Sequence, residues 1–306
     1  DAILANRVPK KVGRIGLCHL LTARGGVRSE FTVCRTGPES FYLVSAGALE
    51  RHDHDILAKL LPRDGSVAFQ PVTAQRGVLV VAGPNARRLL AKLTDADLST
   101  AAFPWLSAQQ ISVGPIATWA LRVNFVGELG WELHHPIESQ NALFDLLFAA
   151  GEEFGVKPFG IRAMLAMAVE KSYRLVGREL SIEYAALESG LDRFVHPNKG
   201  AFLGRDALVE WRERGFANRF VTLEVHGVTD ADARGSEPVL VGDELVGRCT
   251  QGAFGWRVNK SLALAMVRPD VGEIGRELTV VILGKPHRAT VIAESPYDPD
   301  NAALRS

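Results

Sequence analysis

The segment from Phe159 to Val169 constrains the fold more than any other, because every residue in it is apolar or glycine except Arg162. A run of this length and composition predicts a largely buried helix. On a helix of 3.6 residues per turn, Arg162 shares one stripe with Ala166, Val169 and Tyr173. A guanidinium on that stripe is expected to be buried, which is costly unless it pairs with an anion. Two interpretations stay open, an internal salt bridge and a clamp for a ligand.

Elsewhere the chain alternates short β-rich runs with a few helical segments, which predicts an α+β fold. The first region has β-rich runs, such as RIGLCHLL and EFTVCR, and an amphipathic helix that ends at Pro62. The middle region has predicted strands in VAFQPV, GVLVVAGP, QISVG, ATWALRVNF and WELHHP. Helices in NARRLLAKL and from about Glu138 to Phe154 interleave with them, as in a ferredoxin-like sandwich. Hairpin patterns dominate the last region and predict a small β-barrel or sandwich.

Charge and cysteine content exclude several classes of protein. The 306 residues carry 35 Lys+Arg and 35 Asp+Glu, a formal net charge of zero. This balance argues against a nucleic-acid binder or a binder of anionic membranes. Three scattered cysteines, Cys18, Cys34 and Cys249, fit a reducing compartment and no metal framework. No apolar run is as long as a membrane span, and no signal peptide is predicted.

Two glutamates follow glycine-containing stretches. In NFVGELGWELHHP, strand alternation puts Glu132 on the face opposite Trp131 and Leu133. Glu132 is either a solvated edge-strand residue or a carboxylate in a cleft that accepts two N–H donors from a planar heterocycle. In TARGGVRSEF, the paired glycines allow unusual backbone angles or close approach of a ligand. Glu30 follows them, and on this stretch alone a hairpin with a surface glutamate is the simpler interpretation.

Several apparent motifs are set aside. His52 and His54 in ERHDHD are two residues apart, which is wrong for one helix face, so a solvated helix start is predicted and no metal site. His134 and His135 should point to opposite faces of a strand. The sequence contains no GxSxG, Walker or GxGxxG motif, so no nucleotide cofactor is predicted to bind to this chain.

Taken in order, these segments resemble the tetrahydrofolate-dependent aminomethyltransferase family of the glycine-cleavage T-protein type. The likeness is closer to the folate-binding C-terminal portion of dimethylglycine and sarcosine dehydrogenases. The matching text is RGGVRSEFTV, FVGELGWELHHP, IRAMLAMAVEKSYRLVGREL, NKGAFLGRDAL, KSLALAMV and YDPDNAALR. The resemblance implies the aminomethyltransferase folate-binding fold, with ferredoxin-like domains plus a C-terminal β-barrel.

The resemblance also implies three domains around a central folate channel. A split first domain would comprise residues 1–60 and 156–215, with its N-terminal part expected to be missing from this chain. The inserted ferredoxin-like domain would comprise residues 61–155, and the barrel residues 216–306. Dehydrogenase members of the family carry a flavin domain before this portion, so any flavin chemistry is expected to lie outside this chain.

Site residues follow from the same resemblance. Glu132 would hold the pterin ring, and Arg162 and Tyr173 would complete the cofactor-binding set. Glu30 corresponds to the catalytic aspartate of the family and is one methylene longer. This departure puts the rate or the substrate of this chain in question.

The implied activity is folate-dependent transfer of a one-carbon unit from an N-methyl or N-methylene amine, dimethylglycine-like or sarcosine-like, giving 5,10-methylene-tetrahydrofolate. Alternatives are a folate-dependent S- or O-demethylase and a non-catalytic folate-binding accessory protein. Ala201 in NKGAFLGR argues against the accessory role, because those proteins carry cysteine there. Tetrahydrofolate is the implied cofactor, and FAD is expected only if an oxidase domain exists outside this chain. The expected partners are the amine, folate and a flavin oxidoreductase domain or subunit, in the cytoplasm or, in a eukaryote, the mitochondrial matrix.

Overall fold

The computed structural model describes residues 2–306, which form two compact units. The first, here called the barrel unit, contains the N-terminal stretch through Val8, then Cys18–Glu30 and Gly160–Asp300. The second, here called the sheet unit, contains Pro9–Leu17, Phe31–Phe159 and Asn301–Ser306. The three-domain division of the chain stays a prediction.

The N-terminal strands form a three-stranded sheet, and the limit between the two units falls within two of them. These strands, in sheet order, are β1 (Ile15–Leu21), β2 (Val27–Arg35) and β3 (Phe41–Val44). The turn from β1 to β2 is closed by the amide of Thr22, which donates to the carbonyl of Gly26 over 2.8 Å. Along β2, buried and more exposed residues alternate, as the period of a half-buried strand requires.

The sheet unit pairs one four-stranded antiparallel sheet with helices. Its elements are α1 (Glu50–Leu60), β4 (Arg76–Ala82), α2 (Ala86–Leu90), β5 (Ala108–Val113), β6 (Ile116–Leu121), β7 (Gly130–Pro136) and α3 (Gln140–Gly151), with strand order β4-β7-β6-β5. Trp131 and Leu133 of β7 are buried in one cluster with Leu90 of α2 and Leu143 of α3. The intervening residue of β7, Glu132, therefore projects from the face opposite this core.

The barrel unit contains two helices and a closed barrel. Its elements are α4 (Ile161–Glu170), α5 (Arg205–Arg214), β8 (Arg219–Val225), β9 (Pro238–Val241), β10 (Glu244–Gly255), β11 (Lys260–Val267), β12 (Glu277–Ile282) and β13 (Lys285–Ile292). The strands close in the order β10-β11-β8-β13-β12-β9. Fully buried Leu223, Val239, Ala263, Val280 and Ala289 belong to its core. The α+β class and the C-terminal barrel are confirmed.

One predicted strand is wrong. VAFQPV forms no strand, and Val67 is half exposed. The ring of Phe69 instead stacks on His54 of α1, with 5.3 Å between ring centroids. A β-rich composition needs a partner strand to form a ladder, and VAFQPV pairs with none of the described strands. A last short helix, α6 (Ala302–Arg305), belongs to the sheet unit. Within residues 2–306, each helix is too short or too polar to span a bilayer.

Candidate functional site

Glu30 lies in β2 with its carboxylate against a buried histidine of β1. Its Oε2 is 2.9 Å from Nε2 of His19, whose side chain is fully buried, while the Glu30 side chain is 20% exposed. The simpler interpretation of Glu30, an ordinary surface residue, does not describe this arrangement. A partly exposed carboxylate on a rigid strand can present its other oxygen to a ligand.

The glycines before Glu30 allow close packing of the chain on itself. A Cβ atom on Gly26 would lie 2.7 Å from the carbonyl oxygen of Ile182. Gly204, in NKGAFLGR, has φ +84° and a Cβ there would lie 2.4 Å from the carbonyl oxygen of Thr22. Two sequence motifs thus meet in the barrel unit, and together they fix the β1–β2 turn that leads to Glu30.

Glu132 lies in β7 of the sheet unit and also contacts a buried histidine. Its Oε2 is 3.3 Å from Nε2 of His134, and the Glu132 side chain is 23% exposed. Nδ1 of His134 is 3.1 Å from the hydroxyl of Tyr42, which lies in β3. Because a neutral imidazole carries one N–H, donation by Tyr42 to Nδ1 leaves Nε2–H to donate to Glu132.

Opposite faces were predicted for His134 and His135, and the contacts confirm it. His135 bonds through Nε2 to Gln140 of α3 over 2.9 Å, whereas His134 faces Tyr42. A cavity of about 230 Å³ adjoins His134 within the sheet unit. Its lining residues are Thr36, Phe41, Tyr42, Val72, Arg76, Trp119 and His134.

Arg162 is exposed, and the prediction that it is buried is wrong. Helix α4 begins at Ile161, so Arg162 lies in its first turn, where Ile161 is 66% exposed. Burial increases along the axis of α4 and is complete only at Ala168, Val169 and Glu170. Helix α4 does carry a stripe of apolar residues, but the first turn of the helix is accessible to solvent. Within residues 2–306, the Arg162 guanidinium has no hydrogen-bond or ion-pair partner, so the internal salt bridge is not formed.

Tyr173 follows the last turn of α4 and is half-buried. Burial raises the pKa of Tyr173 to about 12, so its hydroxyl is a hydrogen-bond donor at neutral pH. The residues before it anchor the segment. Buried Glu170 forms an ion pair with Arg257, whose guanidinium lies 3.7 Å from the centroid of the Tyr297 ring. Lys171 donates to the carbonyl oxygen of Tyr297 over 3.0 Å.

The structure places Glu30, Arg162 and Tyr173 in the barrel unit and Glu132 in the sheet unit. In the part of the chain that is described, no hydrogen bond or ion pair joins Glu30 to Arg162. Sequence reasoning missed His19. A single histidine in the apolar run RIGLCHLL is a signal of the same kind as Arg162 in its helix, and could have drawn attention to it.

The cysteine thiols of this chain are buried and protonated at neutral pH. Cys18, Cys34 and Cys249 are buried free thiols. Burial raises the pKa of Cys18 and of Cys34 to about 11 and raises that of Cys249 further, so none is an activated nucleophile. In residues 2–306, no cluster of three or more His, Cys, Asp or Glu side chains could hold a metal ion.

The described elements define an α+β chain with a closed C-terminal barrel, and comparison with known proteins gives its family. Residues 1–199 match the GCVT N-terminal domain, and residues 218–298 match the glycine cleavage T-protein C-terminal barrel domain. The chain therefore belongs to the glycine-cleavage T-protein, or aminomethyltransferase, family, as predicted.

Relatives of two kinds are similar to this chain. Mouse mitochondrial dimethylglycine dehydrogenase is 39% identical over 296 residues, covering 96% of this chain but 34% of the dehydrogenase. An aminomethyltransferase of Thermoanaerobacter sp. is 29% identical, covering 89% of this chain and 73% of that protein. The chain thus spans about a third of the length of the dehydrogenases that it matches.

A solved structure supports the fold. The crystal structure of aminomethyltransferase T of the Bartonella henselae glycine cleavage system superposes with a TM-score of 0.85. It covers 97% of this chain and 80% of that one at 21% identity. The predicted aminomethyltransferase fold is therefore confirmed.

Proposed function

We propose that this chain is a tetrahydrofolate-dependent one-carbon transferase domain acting on an N-methyl or N-methylene amine of the dimethylglycine or sarcosine type, with 5,10-methylene-tetrahydrofolate as product. The observation that carries the proposal is the match to both T-protein domains, over residues 1–199 and 218–298. The similarity to dimethylglycine and sarcosine dehydrogenases supports the class of amine. When bound, tetrahydrofolate supplies the nitrogen atoms that accept the one-carbon unit.

The polar groups of the chain fit a folate. Glu132 and Glu30 each contact a histidine through Oε2, and within residues 2–306 the Oε1 atom of neither has a protein partner. The free oxygen of Glu132 suits the N–H groups of a pterin. The partner-free guanidinium of Arg162 suits a carbonyl or carboxylate of a folate. Tyr173 is proposed as the third binding residue, and its hydroxyl is protonated at neutral pH.

Glu30 is proposed as the catalytic residue. A carboxylate on a rigid strand can orient the attacking amine nitrogen, stabilise positive charge that develops there and accept its proton. The proton would go to Oε1, because Oε2 is occupied by His19. Glu30 therefore acts on the reacting atoms, whereas the proposed role of Glu132, Arg162 and Tyr173 is to bind folate.

The proposed partners and location follow from the relatives. A flavin oxidoreductase domain or subunit would supply the iminium or formaldehyde, and FAD would belong to it. The dehydrogenases that are similar to this chain are named as mitochondrial. A mitochondrial matrix location is therefore proposed for a eukaryotic source, and the cytoplasm otherwise.

Folate titration tests the binding half of the proposal. Tryptophan fluorescence should report saturable binding of tetrahydrofolate, and Glu132→Gln should weaken it about tenfold or more, since charge-assisted hydrogen bonds contribute about 1.5–3 kcal/mol. Glu138→Gln, an exposed carboxylate just after β7, is the matched control and should bind normally. An unchanged Kd in Glu132→Gln would return Glu132 to the class of solvated strand residues.

Product analysis tests the chemical half. With tetrahydrofolate and glycine plus formaldehyde as a source of iminium, the protein should form 5,10-methylene-tetrahydrofolate faster than the protein-free mixture. Glu30→Gln should reduce the protein-dependent rate by about 10²-fold, as for a lost acid–base group. Formation of 5-methyl-tetrahydrofolate from a sulfonium or methyl ether donor would instead identify a demethylase. Folate binding with no turnover on any donor would identify an accessory protein.

A further inference from the structure

Among the side chains of residues 2–306, His19 is the one hydrogen-bond or ion-pair partner of the proposed catalytic carboxylate. We infer that His19 is a positioning residue, which holds Oε2 of Glu30 and so directs Oε1 toward the reacting nitrogen. The inference rests on the proposed function of Glu30. It is carried by the 2.9 Å contact between Nε2 and Oε2 and by the complete burial of the imidazole.

The surroundings of His19 determine which ring nitrogen carries the proton. Nδ1 is buried, and residues 2–306 offer it no hydrogen-bond partner. A buried N–H without an acceptor is costlier than a bare lone pair beside apolar neighbours, so the proton belongs on Nε2. Nε2–H then donates to the Glu30 carboxylate. The reverse tautomer would leave a buried N–H unmet and set two lone pairs against each other.

The ring is held in place from several directions. Its edge packs on Phe194, with ring centroids 5.3 Å apart at an interplanar angle of 62°. The backbone amide of His19 donates to Oδ1 of Asn6 over 3.3 Å, and its carbonyl accepts from the amide of Ala5 over 2.8 Å. Because backbone and ring are both fixed, the donor direction is fixed too. His19 can therefore hold Glu30 in one rotamer.

A fixed donor also gives a physical account of the departure from the family at position 30. Glutamate has one more rotatable bond than aspartate, so its carboxylate would sample more positions around a substrate. Misplacement by about 1 Å can cost about 10²-fold in rate. A hydrogen bond from a buried strand residue removes that freedom. On this basis the longer side chain of Glu30 is compatible with catalysis because His19 is present.

Three variants test the inference. His19→Leu removes the donor but fills the apolar space beside Phe194, and we expect kcat for methylene-tetrahydrofolate formation to fall about 10- to 100-fold while folate Kd changes less than about twofold. His19→Gln places an amide N–H near the position of Nε2 and should recover most of the rate. His226→Leu, which removes a 2.9 Å contact with Thr290 in the barrel, is the matched control and should keep wild-type kcat.

A mutant cycle separates positioning from general damage. If His19 acts through Glu30, His19→Leu should cost nothing further in a Glu30→Gln background. Wild-type kcat in a folded His19→Leu variant would overturn the inference. So would equal losses in the Leu and Gln variants, or additive losses in the double mutant.

An NMR measurement keeps the inference testable if His19→Leu does not fold. In the wild-type chain labelled with ¹⁵N-histidine, His19 should show a protonated Nε2 and an unprotonated Nδ1. A protonated Nδ1 with bare Nε2 would overturn the inference without any assay of activity. Failure of the proposed function has a different signature, since wild-type protein would then bind no tetrahydrofolate while the tautomer of His19 stayed as stated.

Discussion

Glu30 and Glu132 show what a sequence reveals about single residues. Strand alternation assigned Glu132 to one face of its strand, and it does lie opposite the buried Trp131 and Leu133. The contacts of the two glutamates were not predicted. His19 comes from the neighbouring strand β1, whereas His134 lies in β7 with Glu132 and is contacted by Tyr42 of β3. The prediction that Arg162 is buried was wrong for a different reason. Helical periodicity gives the direction of a side chain around the axis but not the depth of each turn along it.

Arg162 yields a prediction that separates binding from stability. An exposed side chain with no protein partner should matter little to the fold, so Arg162→Lys should change the free energy of unfolding by less than about 0.5 kcal/mol. Folate affinity should fall about tenfold, because lysine cannot reproduce a planar fork of donors. Fluorescence titration and a urea melt on the same sample measure both.

Arg63→Lys serves as a control for Arg162→Lys, since Arg63 is an exposed arginine in the loop after α1. It should leave both quantities unchanged. A large loss of stability with normal folate binding in Arg162→Lys would show that the guanidinium supports the fold.

Elements were predicted best where a strong local pattern coincided with tertiary pairing. The helix expected from about Glu138 to Phe154 contains α3 (Gln140–Gly151) with a 3₁₀ turn at each end. The strand predicted in VAFQPV does not form, because β propensity alone does not supply a neighbouring strand. The β1–β2 turn shows a third case. Its glycines were noted in the sequence, but their reason, contact with Ile182 and Gly204, lies far along the chain.

Gly204 tests that close approach. Gly204→Ala would place a Cβ 2.4 Å from the Thr22 carbonyl oxygen in a residue with φ +84°. Backbone strain and overpacking each cost about 1–3 kcal/mol, so we expect a loss of about 3 kcal/mol in the free energy of unfolding by urea. Gly47→Ala meets nothing within 4 Å and is the control, expected to be neutral. Equal stability of the two variants would mean that the β1–β2 turn and the start of α5 can separate at little cost.

At the scale of the molecule, strand and hairpin patterns sufficed for the α+β class and for a hairpin-rich C-terminal β region, because both depend on the average periodicity of many residues. The closure of the barrel was not predictable from the residues, since the same hairpins could form a sandwich. The two compact units are likewise hidden in the sequence, because each is assembled from three separate stretches. One global property can be tested directly, the dependence of stability on alkaline pH.

Buried thiols should make the protein less stable above pH 9. Burial raises the pKa of Cys18 and Cys34 from 9.0 to about 11. Below pH 9 both thiols are neutral in the folded and unfolded states, so their contribution is fully present. Between pH 9 and pH 11 the unfolded chain ionises while the folded chain does not, so stability falls by up to about 1.4 kcal/mol per pH unit for each thiol. Tyr173, whose pKa is raised to about 12, adds to the loss only above pH 10.

Urea unfolding at intervals from pH 8.5 to pH 10 would measure this loss before tyrosine contributes. We expect the free energy of unfolding to decline across the interval, and to decline less in Cys34→Ala, which removes one of the buried thiols from the balance. The native protein should also resist a thiol reagent at pH 8 and react only after unfolding, since a pKa near 11 leaves about one thiolate in a thousand. Parallel pH curves for wild type and Cys34→Ala, or rapid labelling of the native chain, would mean that these thiols reach water in the folded protein.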